Sequence, residues 1–120
     1  MTQDTRSPNR FEWPNRARMA VVVTCLLETW SDGKWPPFSV QTTSLKPGTP
    51  DLAAAMWGTY GVRAGVWRLL KILGDNKVPA TFAANARALE LDPRVAAQLV
   101  RSGHEIAAHS YTQEIGRAHV

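Results

Sequence analysis

The sequence predicts an α/β protein: the N-terminal part of a distorted (β/α) barrel with parallel strands. Three observations carry this. Short apolar runs rich in Val and Ala alternate with segments of helical period. The runs lack the in–out alternation of a strand with one wet face, which suits strands of a parallel sheet. Each run also closes on a polar side chain, namely Glu28, Asn85 and His109. Strands alternating with helices imply crossover connections. In such sheets the C-terminal strand ends and the loops after them converge on the ligand site.

Residues 1–18 carry Pro8, Pro14 and several charges and read as a surface lead-in. Met19 to Leu27 is an apolar, β-branched run and reads as a first strand buried on both faces, with Glu28 at its C-terminal end. Residues 29–60 show no sustained period and hold Asp32-Gly33, Pro36-Pro37 and Pro47-Gly48, which are turn signals. A connection of that length in a compact domain is usually functional. Asp51 is placed to cap a short helix over 52–56. From Gly61 to Leu73, Val66, Leu69, Leu70 and Leu73 recur at helical spacing on one face, and Gly74 is a suitable stop. VPATFAAN (78–85) reads as a second buried strand. Asp92-Pro93 supplies an N-cap and a first-turn proline for a helix that groups Val95, Ala96, Leu99 and Val100 and stops at Ser102-Gly103. HEIAAHS (104–110) is the third strand and its exit. The order is β–loop–α–β–α–β.

Composition narrows the function. The 120 residues suffice for one small domain. Fourteen Lys and Arg against ten Asp and Glu give +4, and the basic residues are spread along the chain without interleaved aromatics. That is a solvated surface and not a nucleic-acid interface. One cysteine, Cys25, excludes a disulfide framework and a cysteine-rich zinc site, and its apolar setting reads as a buried thiol. The polar N-terminus has no apolar signal core, and no apolar run is long enough for a bilayer, so the expectation is a cytoplasmic protein without membrane contact. GDNK and GTYG lack the glycine pattern of a phosphate loop. Nothing in the sequence speaks to oligomeric state.

The candidate site residues follow from the strand ends. Glu28 and His109 are the candidate catalytic pair and also the candidate metal ligands. Asn85 is a candidate hydrogen-bond donor to substrate. Trp30, Trp35 and Trp57 cluster in or around the long connection; Trp30 and Trp35 are candidate stacking surfaces for a sugar or ring, with packing on the barrel as the alternative. Trp67 belongs with the core, and Arg63 stands at a helix start where it is a surface cation or an anchor for a substrate anion. Asp32 is either a loop carboxylate for the site or part of a turn. His104 and Glu105 lie at the opposite end of the third strand and read as structural or surface residues.

The segments YGVRAGVWRLLKIL, VPATFAANARALE and RSGHEIAAHSYTQ resemble, in order and spacing, the polysaccharide deacetylase superfamily, the nodulation-protein-B homology domain, and within it the allantoinase-like branch. The resemblance covers about residues 10–113. It implies an incomplete (β/α) barrel that hydrolyses non-peptide carbon–nitrogen bonds, with a small-molecule or carbohydrate substrate. Metal-dependent members carry an Asp-Asp pair after the first strand and a His-Ser/Thr-x-x-His motif after the third. These positions correspond to Leu27 and Glu28, and to His109-Ser110-Tyr111-Thr112-Gln113. The base position is thus apolar, one metal carboxylate is Glu, and the second histidine is Gln113, a weak neutral ligand. The resemblance leaves two branches: a divalent metal such as zinc, or the metal-independent chemistry of allantoinase-like relatives. A non-catalytic barrel that binds a carbohydrate or ring compound is the alternative from another class.

A (β/α) barrel needs about 250 residues, so the expectation is an N-terminal fragment, inactive alone. The expected organisation is a lead-in at 1–18, a partial barrel at 19–113 and a non-native tail at 114–120. The tail back-translates as GAG ATC GGA AGA GCA CAC GTC, which beyond its first bases matches a common sequencing adapter. Different codons in the coding DNA would dismiss that reading of Ile115–Val120, His119 included.

Overall fold

The computed structural model describes residues 11–35 and 45–113. Residues 1–10, 36–44 and 114–120 lie outside the described residues, so the first part of the lead-in, the Pro36-Pro37 turn and the expected tail fall outside them as well.

Three strands, β1 (Thr24–Leu27), β2 (Thr81–Ala84) and β3 (Glu105–Ala108), form one parallel sheet in the order β1-β2-β3. The register aligns Leu26 with Ala83 and Ala107, and Leu27 with Ala84 and Ala108. Sequential order without a reversal puts both crossovers on one side of the sheet, since parallel crossovers share one hand. The helices accordingly build one core: Val66 and Leu70 from the first crossover, Val95 and Leu99 from the second, packed on Leu27, Phe82 and Ala84. Phe82 is 1% exposed and Leu99 fully buried. Each contributes about 1.5–3 kcal/mol by leaving water.

The first crossover is longer than its periodicity predicts. Helix α1 (Leu52–Tyr60) starts at the expected cap, where Asp51 accepts from the Ala54 N–H at 2.9 Å. It runs through a π-turn at Gly61–Gly65 into α2 (Val66–Asp75). The expected short helix over 52–56 thus extends to Tyr60; its apolar residues lie all round the helix, with only Ala54 and Gly58 buried, so no single face marks its length, and the wider turn shifts the phase of the period between α1 and α2. Leu69 is exposed, off the predicted face. The stop also moves: Gly74 is helical, and Lys77 takes the left-handed backbone (φ 53°) while the Val78 N–H closes on the Leu73 carbonyl.

A short helix, α3 (Ala86–Leu91), intervenes before α4 (Pro93–Arg101). Asp92 caps α4 through the Arg94 N–H at 3.2 Å. Gly103 at φ 72° provides the left-handed exit into β3. Val100 is exposed; only Val95 and Leu99 of the predicted group are buried.

The expectation that β1 is buried on both faces is corrected. Leu27 is 4% exposed and faces the helices, while Leu26 is 62% exposed on the side they leave bare. The three described strands do not cover that side themselves. Met19 to Val23 also stay outside the strand, because pairing with β2 reaches back only to the Thr81 N–H on the Val23 carbonyl.

Candidate active site

The bare face decides where the site stands. Residues 26, 83 and 107 share it in register, and strand periodicity carries it to 28, 85 and 109 at the C-terminal edge. The ladder persists that far: the Asn85 N–H donates to the Leu27 carbonyl at 3.0 Å and the His109 N–H to the Ala84 carbonyl at 3.1 Å. The three strand-end residues named from the sequence therefore stand side by side on one rim.

Two of them meet directly. His109 Nε2 lies 3.2 Å from Glu28 Oε1, with the side chains 34% and 25% exposed respectively. Among the described residues Nδ1 of His109 has no hydrogen-bond partner. With Glu28 as carboxylate and the imidazole neutral, Nε2 carries the shared proton and Nδ1 the lone pair.

Asn85 differs from its expected role. It is fully buried and does not present its amide to a ligand. Its Oδ1 accepts from the Thr29 N–H at 2.9 Å, and its Nδ2 donates to the His109 carbonyl. The tryptophans also differ. Trp30 stacks on Trp57 of α1, with ring centroids 6.0 Å apart. Trp35 covers Gly58 so closely that a Cβ there would collide with the indole. Both rings pack the long connection onto α1. Leu27, at the position of the first aspartate in the resemblance, faces the core and has no chemistry to offer.

Thr29 escaped the sequence, as did the backbone geometry of the segment after His109. Thr29 is 2% exposed; besides donating to Asn85, its carbonyl accepts the Gln113 N–H at 2.7 Å. Ser110 adopts a left-handed backbone (φ 61°) and turns the chain straight after His109. The first N–H groups of α3, on Ala86 and Arg87, then donate to the Ser110 and Tyr111 carbonyls. Tyr111 donates to Glu90 at 2.8 Å, and that carboxylate holds the phenol above its ordinary value. Nothing in the spacing signals Thr29; a left-handed serine has no sequence mark. A cleft of about 590 Å³ opens beside the rim between the π-turn and the α3–α4 junction. Thr29, Arg63 and Arg94 line it, and Glu28 and His109 do not.

The described residues do not by themselves complete a divalent-metal site. Among the described residues no three His, Cys, Asp or Glu side chains converge. Gln113 brings an amide where a second imidazole would stand, and catalytic zinc keeps three protein ligands.

A parallel sheet wound in one direction, with an acid–imidazole pair on its C-terminal rim, defines a chain of the (β/α)-barrel type. The chain belongs to the polysaccharide deacetylase family, whose profile matches residues 54–116. A Schizosaccharomyces pombe protein named "Putative polysaccharide deacetylase" is 38% identical over 52 residues, which are 43% of this chain and 16% of that protein. The crystal structure of a probable polysaccharide deacetylase from Pseudomonas aeruginosa PAO1 is 27% identical with a TM-score of 0.57, over 76% of this chain and 34% of that one. The crystal structure of Puue allantoinase is 28% identical with a TM-score of 0.60, over 83% of this chain and 36% of that one. The chain thus spans about a third of the solved relatives and less of the yeast protein.

Proposed function

We propose that the protein to which this chain belongs hydrolyses a non-peptide carbon–nitrogen bond in a small amide, imide or N-acetyl compound, with His109 as proton carrier and Glu28 as its partner. The observation that carries the reading is the 3.2 Å contact between His109 Nε2 and Glu28 Oε1 on the sheet rim. Family membership and the likeness to a deacetylase and an allantoinase support it.

The chemistry follows from the tautomer. Nδ1 takes a proton from a water as its oxygen adds to the substrate carbonyl carbon. The ring becomes imidazolium, and the Glu28 carboxylate stabilises that charge across the same hydrogen bond. The proton then passes to the leaving nitrogen as the carbon–nitrogen bond breaks, giving a carboxylic acid and an amine or amide. The donor set favours the metal-independent branch.

The test uses the polypeptide encoded by the whole open reading frame, assayed on allantoin and on N-acetylated sugar oligomers before and after exhaustive chelation. Turnover unaffected by chelation is expected. Loss of turnover on chelation, restored by zinc, would overturn the metal-independent reading. Saturable binding of either compound without turnover would replace the hydrolase reading by a binding one.

A further inference from the structure

The Glu28–His109 contact raises a geometric problem. The two residues directly follow β1 and β3, which flank β2. Neighbouring strands run about 4.8 Å apart, so these backbones are separated by roughly twice that. Side chains on alternate strands meet at 3.2 Å only when both lean across the end of the middle strand. Register places Asn85 at that middle position.

We propose that Asn85 is the positioning residue of the pair: its amide ties the end of β1 to the end of β3 and thereby sets the Glu28–His109 separation. One end of the amide takes the Thr29 N–H, the residue after Glu28, at 2.9 Å. The other end, Nδ2–H, donates a hydrogen bond to the carbonyl of His109 itself. Full burial holds the side chain in that bridge. No apolar residue of similar size satisfies both groups, and burying either one unpaired is costly. Aspartate matches the shape but supplies only acceptors when ionised, so it would face the His109 carbonyl with a second oxygen. Protonated, it would restore both bonds. The rest of the rim depends on the same tie, since the Gln113 N–H closes on the Thr29 carbonyl and the Ala86 N–H on that of Ser110.

The inference rests on the hydrolase reading for its catalytic meaning, but its geometry can be tested without turnover. The first readout is the ¹⁵N spectrum of the His109 imidazole in Asn85→Ala and Asn85→Asp. In the parent one tautomer is expected, with the proton on Nε2. Asn85→Ala is expected to average the two tautomers. At each pH Asn85→Asp is expected to match the parent's spectrum at that pH while its new carboxyl is protonated, and to depart from it as that carboxyl ionises. The second readout is kcat/KM in the whole open reading frame. Asn85→Ala is expected to lower it about 100-fold through kcat, the scale of an ångström of misplacement. For Asn85→Asp the ratio to wild type is expected to fall as pH rises. Where Asn85→Ala reduces the folded fraction, Asn85→Asp carries the test through its pH dependence. A parent-like imidazole spectrum in both folded variants at every pH would overturn the proposal. An averaged spectrum in Asn85→Ala, in a protein that turns over none of the substrates, would uphold the tie and reject only the hydrolase reading.

Discussion

His104 and His109 bracket the same four-residue strand, and everything else about them differs. His104, before β3, is 8% exposed; its Nδ1 accepts the Ala80 N–H at 3.2 Å and its ring packs against Phe82 at 5.4 Å. His109, after β3, is a third exposed and faces a carboxylate. One ring completes a backbone hydrogen-bond pattern and the other is available for proton transfer. The difference comes from strand polarity. In a parallel sheet every strand begins at one edge, where the helices deliver the chain into the core, and ends at the other, where the loops open. The same side chain is a structural element at the first edge and a reagent at the second.

The comparison can be broken or sharpened by substitution. The largest expected effect is that of His109→Ala in the whole open reading frame: a loss of about 10²–10⁴ in kcat/KM with the fold retained, read by steady-state kinetics and near-ultraviolet circular dichroism. An active variant would move the proton carrier elsewhere. Next comes Glu28→Gln, which keeps an acceptor for Nε2–H but removes the charge that balances imidazolium. A loss of roughly tenfold or more in kcat is expected, smaller than that of His109→Ala, with KM little changed.

His104→Ala should act at the other edge only. It leaves the Ala80 N–H buried without an acceptor, at a cost of about 1–3 kcal/mol read from urea unfolding, while kcat per folded molecule stays at the parent value. A fall in kcat with unchanged stability would erase the distinction between the edges. The smallest effect concerns Cys25, on the helix-facing side of β1. Burial pushes its thiol above the ordinary value, so the thiolate is scarce near neutral pH and becomes available only as pH rises. Alkylation at pH 8 should be several-fold slower than that of a cysteine in a short peptide, and unfolding should remove the difference.

Much of this was legible in the residues. Asp51, Asp92-Pro93 and Gly103 mark helix ends, because capping and left-handed turns are local events that a few side chains decide. The three strands and their parallel order follow from apolar runs separated by helices. The π-turn was not legible, since its insertion shifts the phase of the period by which helices are recognised. Nor was the exposure of Leu26 and Val100, because a neighbour decides burial, whatever the residue's own hydrophobicity. The tryptophans show the same limit: composition placed three aromatics together, but whether they face a ligand or α1 depended on Gly58 leaving room for Trp35.

What the sequence by itself determined is the α/β order and the polar residue that ends each strand. Both are written in nearest-neighbour patterns. The sequence names Glu28 and His109 as a pair of strand-end residues; the tertiary structure decided that their side chains, eighty-one residues apart, meet at 3.2 Å. It also decided that Asn85, which reads as an amide offered to a ligand, is buried between them. Register across three strands made those assignments, and register is a property of paired backbones that no single strand carries in its own sequence.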